Sequence, residues 1–428
     1  MPTILNVNAV LQLDFDEIRE INTIILKEAD VVLGQPGNCR NFTIDALIEG
    51  EWKKIHGSDV IGYYRMCIVD KIRASAVRLI INEAATDKAI EIAEMTTSCR
   101  KAVIQDRPFR VLGYYHPMTF TTDSFGGDAK QFDAVTDVVY IGFMPLVSGD
   151  DGLKIQFDAN TPNHIKTLKE AIKGRDVNIY ISLTGRDVLS DNDDDIERVA
   201  TQAAAFVKAY DLHGVDLDIE GEWYINTVER AGYSKLIVNL GKKLHDMGKK
   251  ISVAVITSYP FTVQALETLD YINTMTYDYT DIEAWHSVYS AVLRDIDATC
   301  ELGIPLIDED GIDVFCHFPV PHEKVNVGMP FYGMGNACGI REWDRTYSYG
   351  DYYQPGDEDN FDPYSNYAKL SYYNGPTTIR DKTAYALAKV GGVMVWSLSH
   401  DVDYEADYSL LKTVKQTIDM YKSLPEPK

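Results

Sequence analysis

Three acidic residues alternate along the stretch HGVDLDIE, which covers residues 213–220. In a β-strand alternate side chains point to the same face, so Asp216, Asp218 and Glu220 would lie on one side and the intervening apolar side chains on the other. At helical spacing the acids scatter and the apolar residues form no stripe, which argues against an exposed acidic helix. We therefore interpret the stretch as a buried strand that presents three carboxylates to one surface.

Carboxylates packed this closely do not all ionise freely, because each negative charge disfavours the next. We expect them to share a proton. That arrangement suits a reaction in which one carboxylic acid donates a proton while its neighbours stay anionic. Metal binding is the rival use of such a cluster, but no second group of His and Asp residues at ligand spacing accompanies the three acids.

The strands that would surround this one come from an alternation of apolar, β-branched runs with helical patterns after about residue 106. Such an alternation predicts a (β/α)8 TIM barrel of the α/β class, with its active site at the carboxyl ends of the strands. The predicted strands cover residues 111–115, 137–144, 177–184, 214–220, 251–256, 271–279, 325–332 and 391–398. A doubly wound open sheet is the alternative, but no Gly-rich phosphate turn follows an early strand.

Two further regions flank or interrupt the barrel. The segment 333–375 is rich in Tyr, Asp, Gly and Asn and is too long for a simple loop, so we expect an insertion before the last strand that forms a subdomain or lid. Before the barrel, alternating apolar residues in turn-punctuated runs, such as 42–46 and 77–81, predict antiparallel strands. We therefore predict a small all-β sandwich domain over residues 1–106 and the barrel over residues 107–428.

The composition excludes several classes of partner. The 428 residues include 41 Lys and Arg against 65 Asp and Glu, a formal net charge of −24. A surface this acidic repels phosphate backbones and anionic lipid heads, so we expect no nucleic-acid partner. No stretch approaches the roughly 18 to 20 apolar residues of a transmembrane helix, so we expect no membrane insertion. No secretion signal is visible, and the compartment stays open: an extracytoplasmic location is favoured if a signal peptide was removed.

The acidic strand resembles that of a known family, the family-18 glycoside hydrolases, which include chitinases and endo-β-N-acetylglucosaminidases. The family's fourth strand carries D-x-x-D-x-D-x-E, and Asp216, Asp218 and Glu220 match its last three acids. Further matching motifs are GYY at 113–115, MTYDY at 275–279, GMPFYG at 328–333 and GVMVW at 392–396. The upstream strands SAVRLIINEA and AIEIAEM resemble part of a discoidin-like β-sandwich, a domain that binds sugar through its loops or packs against the catalytic domain.

The resemblance implies a role for each matching residue. Glu220 would protonate the glycosidic oxygen, and Asp218 would orient the substrate's own N-acetyl group, whose carbonyl oxygen attacks the anomeric carbon. Asp216 would share a proton or a hydrogen bond with Asp218. Tyr277 would hydrogen-bond the acetamido oxygen, and Trp396 would form the floor beneath the distorted sugar.

Other residues are candidates for substrate binding. The resemblance implies that Met275 and Asp278 shape the subsite above the floor. Aromatic residues at or just beyond strand ends would stack on successive sugar rings, and Tyr115, Phe143 and Trp223 are the candidates that we name.

The first acid of the family's strand motif is His213 in this chain. The histidine either disturbs the hydrogen bonding beneath Asp216 or replaces the acid as a neutral structural group. Because the acid, the orienting aspartate and the tyrosine are all retained, the substitution does not imply an inactive protein.

These residues predict a retaining glycosidase that cleaves β-1,4 bonds at N-acetylglucosamine in chitin or chito-oligosaccharides by substrate-assisted catalysis. An endo-β-N-acetylglucosaminidase acting on the chitobiose core of N-glycans is one alternative, and a catalytically silent chitin-binding lectin is another. The proposed chemistry needs no cofactor or metal, and we expect none. We expect a monomer whose partner is an oligosaccharide or polysaccharide.

Overall fold

The computed structural model describes residues 2–86, 89–101, 108–115, 129–141, 146–150, 152–186, 189–279, 286–337, 340–352, 362–368 and 371–426. The chain forms an antiparallel sheet first and then a closed parallel barrel. A smaller sheet is inserted before the last barrel strand. The barrel positions the acidic strand, and the other two sheets pack around it.

The N-terminal region is all β, as the sequence predicts. Its strands are β1 (Thr3–Leu5), β2 (Val10–Glu28), β3 (Cys39–Ile48), β4 (Glu51–Ser58), β5 (Arg65–Ala84) and β6 (Ile90–Ser98). They form one six-stranded sheet in the order β1-β6-β2-β5-β3-β4, where we predicted the two sheets of a sandwich. β2 and β5 are 19 and 20 residues long and pair across register shifts, so each is longer than the short runs from which the sandwich is predicted. The discoidin-like resemblance and the boundary at residue 106 stay predictions.

Each of the eight predicted barrel runs contains a strand of the closed barrel. The strands are β7 (Arg110–Tyr115), β8 (Asp137–Tyr140), β11 (Asn178–Arg186), β12 (Gly214–Glu220), β13 (Lys250–Val255), β14 (Tyr271–Thr274), β17 (Val325–Pro330) and β22 (Gly392–Trp396). Their order around the barrel is β11-β12-β13-β14-β17-β22-β7-β8. The predicted (β/α)8 fold is therefore confirmed.

β12 has the two-faced character that its alternation predicts. Val215, Leu217 and Ile219 are at most 1% exposed and belong to the large core that includes residues of the surrounding helices. The acids point the other way, into the barrel. β12 starts at Gly214, where a Cβ atom would lie 2.2 Å from the carbonyl oxygen of Lys250, so the close approach of β12 to β13 requires glycine.

Helices pack around the outside of the barrel. They are α1 (Thr161–Ala171), α2 (Asp193–Ala209), α3 (Thr227–His245), α4 (Val263–Thr268), α5 (Tyr289–Asp297), α6 (Pro376–Lys389) and α7 (Leu410–Ser423). The helical patterns between the predicted strands correspond to five of these helices, α1, α2, α3, α5 and α6. The helices α4 and α7 are not among the predicted elements. Within the described residues, none of the helices combines the length and the apolar composition needed to span a membrane.

The remaining strands lie in the connections between barrel elements. They are β9 (Leu146–Gly149), β10 (Gly152–Ile155), β15 (Ile304–Ile307), β16 (Asp313–Phe318), β18 (Tyr332–Ala337), β19 (Ile340–Ser348), β20 (Tyr367–Ala368) and β21 (Ser371–Tyr372). The last four form one sheet in the order β19-β18-β21-β20, within the predicted insertion between β17 and β22. The hairpins β9–β10 and β15–β16 are not among the predicted elements.

A buried ion cluster joins the N-terminal sheet to the barrel helix α6. Arg65 of β5 and Asp381 of α6 are both fully buried, and two guanidinium nitrogens lie 2.8 and 3.1 Å from Asp381 Oδ2. Another nitrogen of Arg65 lies 3.3 Å from Asp59, and His56 Nε2 lies 3.1 Å from Asp381. Buried charges are stable only when paired and hydrogen-bonded, so this cluster fixes the sheet against α6.

We predict that Arg65→Met destabilises the protein by about 3–5 kcal/mol, because it leaves the buried carboxylate of Asp381 without its main counter-charge. Urea unfolding followed by tryptophan fluorescence measures the change. The matched control is Lys71→Met, which removes a cation whose pair with Glu20 is exposed to solvent, so little or no loss of stability is expected. Equal losses in the two variants would show that the buried cluster does not hold the sheet.

Candidate active site

The carboxyl ends of the barrel strands surround a cavity of about 410 Å³. Six of the predicted residues line it: Asp218, Glu220, Met275, Tyr277, Asp278 and, at the end of β22, Trp396. The inserted sheet supplies one wall through Tyr332, Met334 and residues 346–348. The predicted site residues that surround this cavity come from β12, from the segment after β14, and from β22.

Asp216 lies fully buried beneath the cavity and is held by donors from three other strands. The hydroxyl of Tyr114 donates to Oδ2 at 2.6 Å, and Oδ1 accepts from the Ser252 hydroxyl at 2.5 Å and the Asn273 amide at 2.9 Å. Burial raises the pKa of Asp216, while these three hydrogen bonds act to lower it. The carboxylate is thus stabilised in place as an acceptor.

Asp218 has a different environment, although it lies only two residues along the same strand. It is 7% exposed, and its Oδ1 is buried without a hydrogen-bond partner in the part of the chain that the structure describes. Burial raises its pKa well above the ordinary value, and the charges of Glu220 and Asp216 raise it further. We predicted a hydrogen bond or shared proton with Asp216, but the oxygens of Asp216 are bound by Tyr114, Ser252 and Asn273 instead.

Tyr277 and Trp396 complete the floor of the cavity. The hydroxyl of Tyr277 lies 3.9 Å from the sulfur of Met394, and burial followed by the charge of Asp218 raises its pKa well above 10. The phenol therefore keeps its proton and stays a hydrogen-bond donor. The ring of Trp396 packs at 5.3 Å from that of Tyr114, which leaves the indole half-buried and facing the cavity.

The side-chain carboxylate of Asp278 is held by two neighbouring residues, Tyr332 and His286. Asp278 has a left-handed φ of +62°, its Oδ1 accepts a hydrogen bond from the Tyr332 hydroxyl, and His286 Nδ1 lies 3.3 Å from the same oxygen. The other ring nitrogen of His286 lies 3.2 Å from the carbonyl oxygen of Tyr332. Because His286 is fully buried, it fixes Asp278 against the inserted sheet.

A sequence model described as "Glycosyl hydrolases family 18" matches residues 110–401, from the start of β7 to just beyond β22. That span includes every described residue of the cavity. The chain belongs to glycosyl hydrolase family 18.

Relatives of known name support the same placement. Chitinase A1 of Niallia circulans is 27% identical over 263 residues, which are 48% of this chain and 37% of that protein. The chain spans about half or less of the length of the curated relatives it matches. The structure of the family-18 chitinase ChiB of Flavobacterium johnsoniae aligns with a TM-score of 0.57 and 23% identity, over 73% of this chain and 94% of that one. Human YKL-39, described as a pseudo-chitinase with retained chitooligosaccharide binding, aligns with a TM-score of 0.53 and 14% identity, over 73% and 100%. At these identities the structural likenesses show the shared fold alone.

Two of the predicted sugar-stacking residues lie in the core rather than in the cavity. Tyr115 is 5% exposed and packs at 6.0 Å from Tyr140, because on β7 it is Tyr114 that points into the barrel. Trp223 is fully buried and donates its indole N–H to the carbonyl oxygen of Ile219 at 2.9 Å. The structure therefore assigns packing roles to both. Phe143 lies outside the described residues.

Three functional residues were not predicted: Tyr114, Ser252 and Asn273, the donors to Asp216. Ser252 and Asn273 are fully buried polar residues in otherwise apolar strands. This is the same anomaly that identifies the acids on β12, so the sequence carries a signal for them. Tyr114 is half of an adjacent pair of tyrosines, and the sequence does not indicate which of the two faces inward.

His213 has a structural role at the opposite end of β12 from Glu220. Its Nδ1 accepts a hydrogen bond from the backbone N–H of Ile179 at 2.9 Å, and burial lowers the pKa of the imidazole. An aspartate would accept the same hydrogen bond through a carboxylate oxygen. The geometry therefore favours the second interpretation above, a neutral substitute for the acid.

One group of described residues has atoms close enough to hold a metal ion, and it lies at the junction with the N-terminal sheet rather than in the cavity. It consists of His56, Cys67 and Asp381, whose ligand atoms lie within 4.8 Å of one another. The guanidinium of Arg65 already donates to the carboxylate of Asp381. Because Arg65 already neutralises the carboxylate of Asp381, these three residues do not fit a metal ion.

We predict that the difference in unfolding free energy between Asp218→Asn and the unchanged protein shifts in favour of the variant as pH rises from about 4 to 7. Because burial raises the pKa of Asp218 in the folded state, the unfolded state releases this proton at a lower pH than the folded state does, so this group costs the unchanged protein stability as pH rises through the window. Asparagine is neutral in both states and has no such cost. Urea unfolding of both proteins at pH 4 and pH 7 tests this, and an unchanged difference would contradict the raised pKa.

We predict that His213→Ala destabilises the protein by about 1–3 kcal/mol, because the N–H of Ile179 loses its acceptor. His213→Asp keeps an acceptor and serves as the matched control, with a smaller loss at pH 7. Thermal unfolding measures both variants. If the aspartate variant lost as much stability as the alanine variant, the hydrogen bond would not explain the role of this position.

Proposed function

We propose that the protein hydrolyses the β-1,4 bond that follows an N-acetylglucosamine residue in chitin or chito-oligosaccharides, with the substrate's acetamido group as the nucleophile. The observation that carries this proposal is the buried Asp218, which lines the cavity beside Glu220 and whose Oδ1 has no hydrogen-bond partner among the described residues. A buried polar atom without a partner is costly, and a substrate N–H would satisfy it.

The first half of the reaction breaks the glycosidic bond. Glu220, at the exposed end of β12, donates its proton to the glycosidic oxygen as the bond from that oxygen to the anomeric carbon breaks. The carbonyl oxygen of the 2-acetamido group bonds to the anomeric carbon, which gives a cyclic oxazolinium ion. The remainder of the chain leaves as an alcohol.

In the second half, water adds to the anomeric carbon and passes its proton to the carboxylate of Glu220. The bond from the acetamido oxygen to the anomeric carbon breaks, which restores the acetamido group and the protonated acid. Two displacements at the same carbon retain its configuration, by the substrate-assisted exception to the two-carboxylate scheme.

The groups around the acetamido moiety favour this pathway. The carboxyl of Asp218 accepts the acetamido N–H and orients its carbonyl oxygen towards the anomeric carbon. Tyr277 donates its hydroxyl proton in a hydrogen bond to that carbonyl, since its raised pKa keeps it protonated. Such preplaced groups contribute through orientation and through stabilisation of developing charge.

The other predicted residues shape the subsite. Trp396 offers an apolar face to the C–H side of the sugar ring, and Met275 and Asp278 line the cavity beside it. Asp216 acts from behind, as a carboxyl group that Tyr114, Ser252 and Asn273 hold in place beneath Asp218. The partner that fits this surface is an oligosaccharide or polysaccharide chain, and the protein itself acts as a monomer.

Two alternatives make different predictions. A lectin, as the name of the YKL-39 relative describes that protein, would bind sugar without cleaving it. The retained Glu220 beside Asp218 favours hydrolysis here. An endo-β-N-acetylglucosaminidase would use the same carboxylates on an N-glycan core.

We predict that the purified protein cleaves chitotetraose, and that Glu220→Gln lowers kcat by at least about 10²-fold while it still binds the oligosaccharide, because the amide has no proton to donate. Asp218→Asn is expected to lower kcat severely as well. Mass spectrometry of the products and calorimetric binding measure these effects. The matched control is Glu222→Gln, which alters an exposed acid outside the cavity and should leave kcat unchanged.

Each other outcome identifies a different function. Cleavage of a high-mannose glycopeptide but not of chitotetraose would indicate the endoglycosidase. Binding of chitotetraose without cleavage would indicate the lectin. Near-normal turnover by Glu220→Gln would show that another group is the acid.

A further inference from the structure

The segment that carries Met275, Tyr277 and Asp278 is held from behind by the pair His286 and Ser287. We call residues 275–279 the cleft-floor segment. The Ser287 hydroxyl donates to the carbonyl oxygen of Thr276 at 2.8 Å. The neighbouring His286 accepts the N–H of Tyr279 on its carbonyl at 3.1 Å and lies 3.4 Å, through Nδ1, from the N–H of Asp278. The pair 286–287 therefore contacts the cleft-floor segment along its length.

Lys382 of α6 holds that pair. Its side chain is fully buried, and Nζ lies 2.7 Å from the carbonyl oxygen of Ser287 and 2.8 Å from its hydroxyl oxygen. The third contact of Nζ is the side-chain oxygen of Asn374. The amide nitrogen of Asn374 in turn donates to the Ser287 carbonyl at 3.2 Å.

All three contacts of Lys382 are with acceptors. The Ser287 hydroxyl gives its own proton to Thr276, so its oxygen accepts from the lysine. The amide of Asn374 turns its nitrogen towards Ser287, so its oxygen accepts as well. Three acceptors match the three N–H bonds of an ammonium group, although burial lowers the pKa of this lysine well below its ordinary value. A lysine is rarely buried unless it is paired, so its contacts here are specific.

The helix that carries Lys382 is itself anchored on its other side. The preceding residue, Asp381, binds Arg65 of the N-terminal sheet and also accepts the backbone N–H of Ile68 at 2.9 Å. Adjacent residues of α6 thus connect the N-terminal sheet and the cleft-floor segment. Because Asp381 is bound to the N-terminal sheet, α6 holds the adjacent Lys382 in place against Ser287.

We propose that Lys382 is a positioning residue that fixes the cleft-floor segment through Ser287 and His286, and so places Tyr277 and Asp278 around the acetamido group. Its effect on turnover rests on the proposed function. Its effect on the order of the segment does not.

The test compares Lys382→Met with Lys389→Met on the same helix. Methionine keeps the apolar stem of the lysine and removes its three donors. Lys389 is 41% exposed and makes only long ion pairs at 3.6 and 3.9 Å, so its variant should behave as the unchanged protein. Ser287→Ala removes the hydroxyl that joins Lys382 to Thr276, and it serves in case Lys382→Met does not fold.

Two readouts are measured on the full chain: amide hydrogen exchange at Asp278 and Tyr279, and kcat and KM for chitotetraose. We expect faster exchange at both amides in Lys382→Met and Ser287→Ala. We also expect Lys382→Met to lower kcat by about 10 to 100-fold with a smaller change in KM, because displacement of catalytic groups by about 1 Å costs this much. Lys389→Met should change neither readout.

Unchanged exchange in a folded Lys382→Met protein would overturn the proposal, as would faster exchange with an unchanged kcat. If Lys382→Met does not fold, Ser287→Ala takes its place. Unchanged exchange in Ser287→Ala, or faster exchange with an unchanged kcat, would then overturn the proposal. If the unchanged protein cleaves no chitotetraose, the proposed function fails, and the exchange readout alone decides whether Lys382 orders the segment.

Discussion

The structure depends on burying negative charge inside a packed barrel. An ionised carboxylate taken out of water is stable only when donors surround it, and Asp216 receives one donor from each of β7, β13 and β14. Those donors occupy strand positions that would otherwise be apolar. Asp218, one layer closer to the cavity, has no such set among the described residues, so its unpartnered oxygen and the larger rise of its pKa distinguish it from Asp216. Two identical side chains on one strand thereby acquire different chemistry.

Buried charged groups with specific partners also hold the structure together outside the barrel. The cleft-floor segment lies beyond the end of β14 and is held by His286 and Ser287, which are held by the buried Lys382 of α6. α6 is joined to the N-terminal sheet through Asp381 and Arg65. The N-terminal sheet thus contributes to the support of the cavity, although it supplies none of the described residues that line it.

Local pattern predicts the barrel strands and the acids of β12, because alternation and β-branched runs report directly on burial. It does not predict which of two adjacent tyrosines on β7 faces inward, and so Tyr115 was chosen where Tyr114 binds Asp216. Trp223 was misplaced because the chain turns back after β12 and brings its indole onto Ile219. Lys382 and Ser287 are 95 residues apart, and no local pattern reports their contact. Short alternating runs such as 42–46 and 77–81 predict a sandwich of short strands, whereas β2 and β5 form long strands that pair across register shifts.

The central claim is that the substrate's acetamido group, rather than a protein carboxylate, attacks the anomeric carbon. It is tested most directly by comparing kcat/KM for chitotetraose with that for the same tetrasaccharide lacking all N-acetyl groups. The account predicts cleavage of the acetylated substrate and none detectable for the deacetylated one, because the latter lacks the carbonyl oxygen that Asp218 and Tyr277 orient. Comparable values for the two substrates would contradict it and would require a nucleophile from the protein.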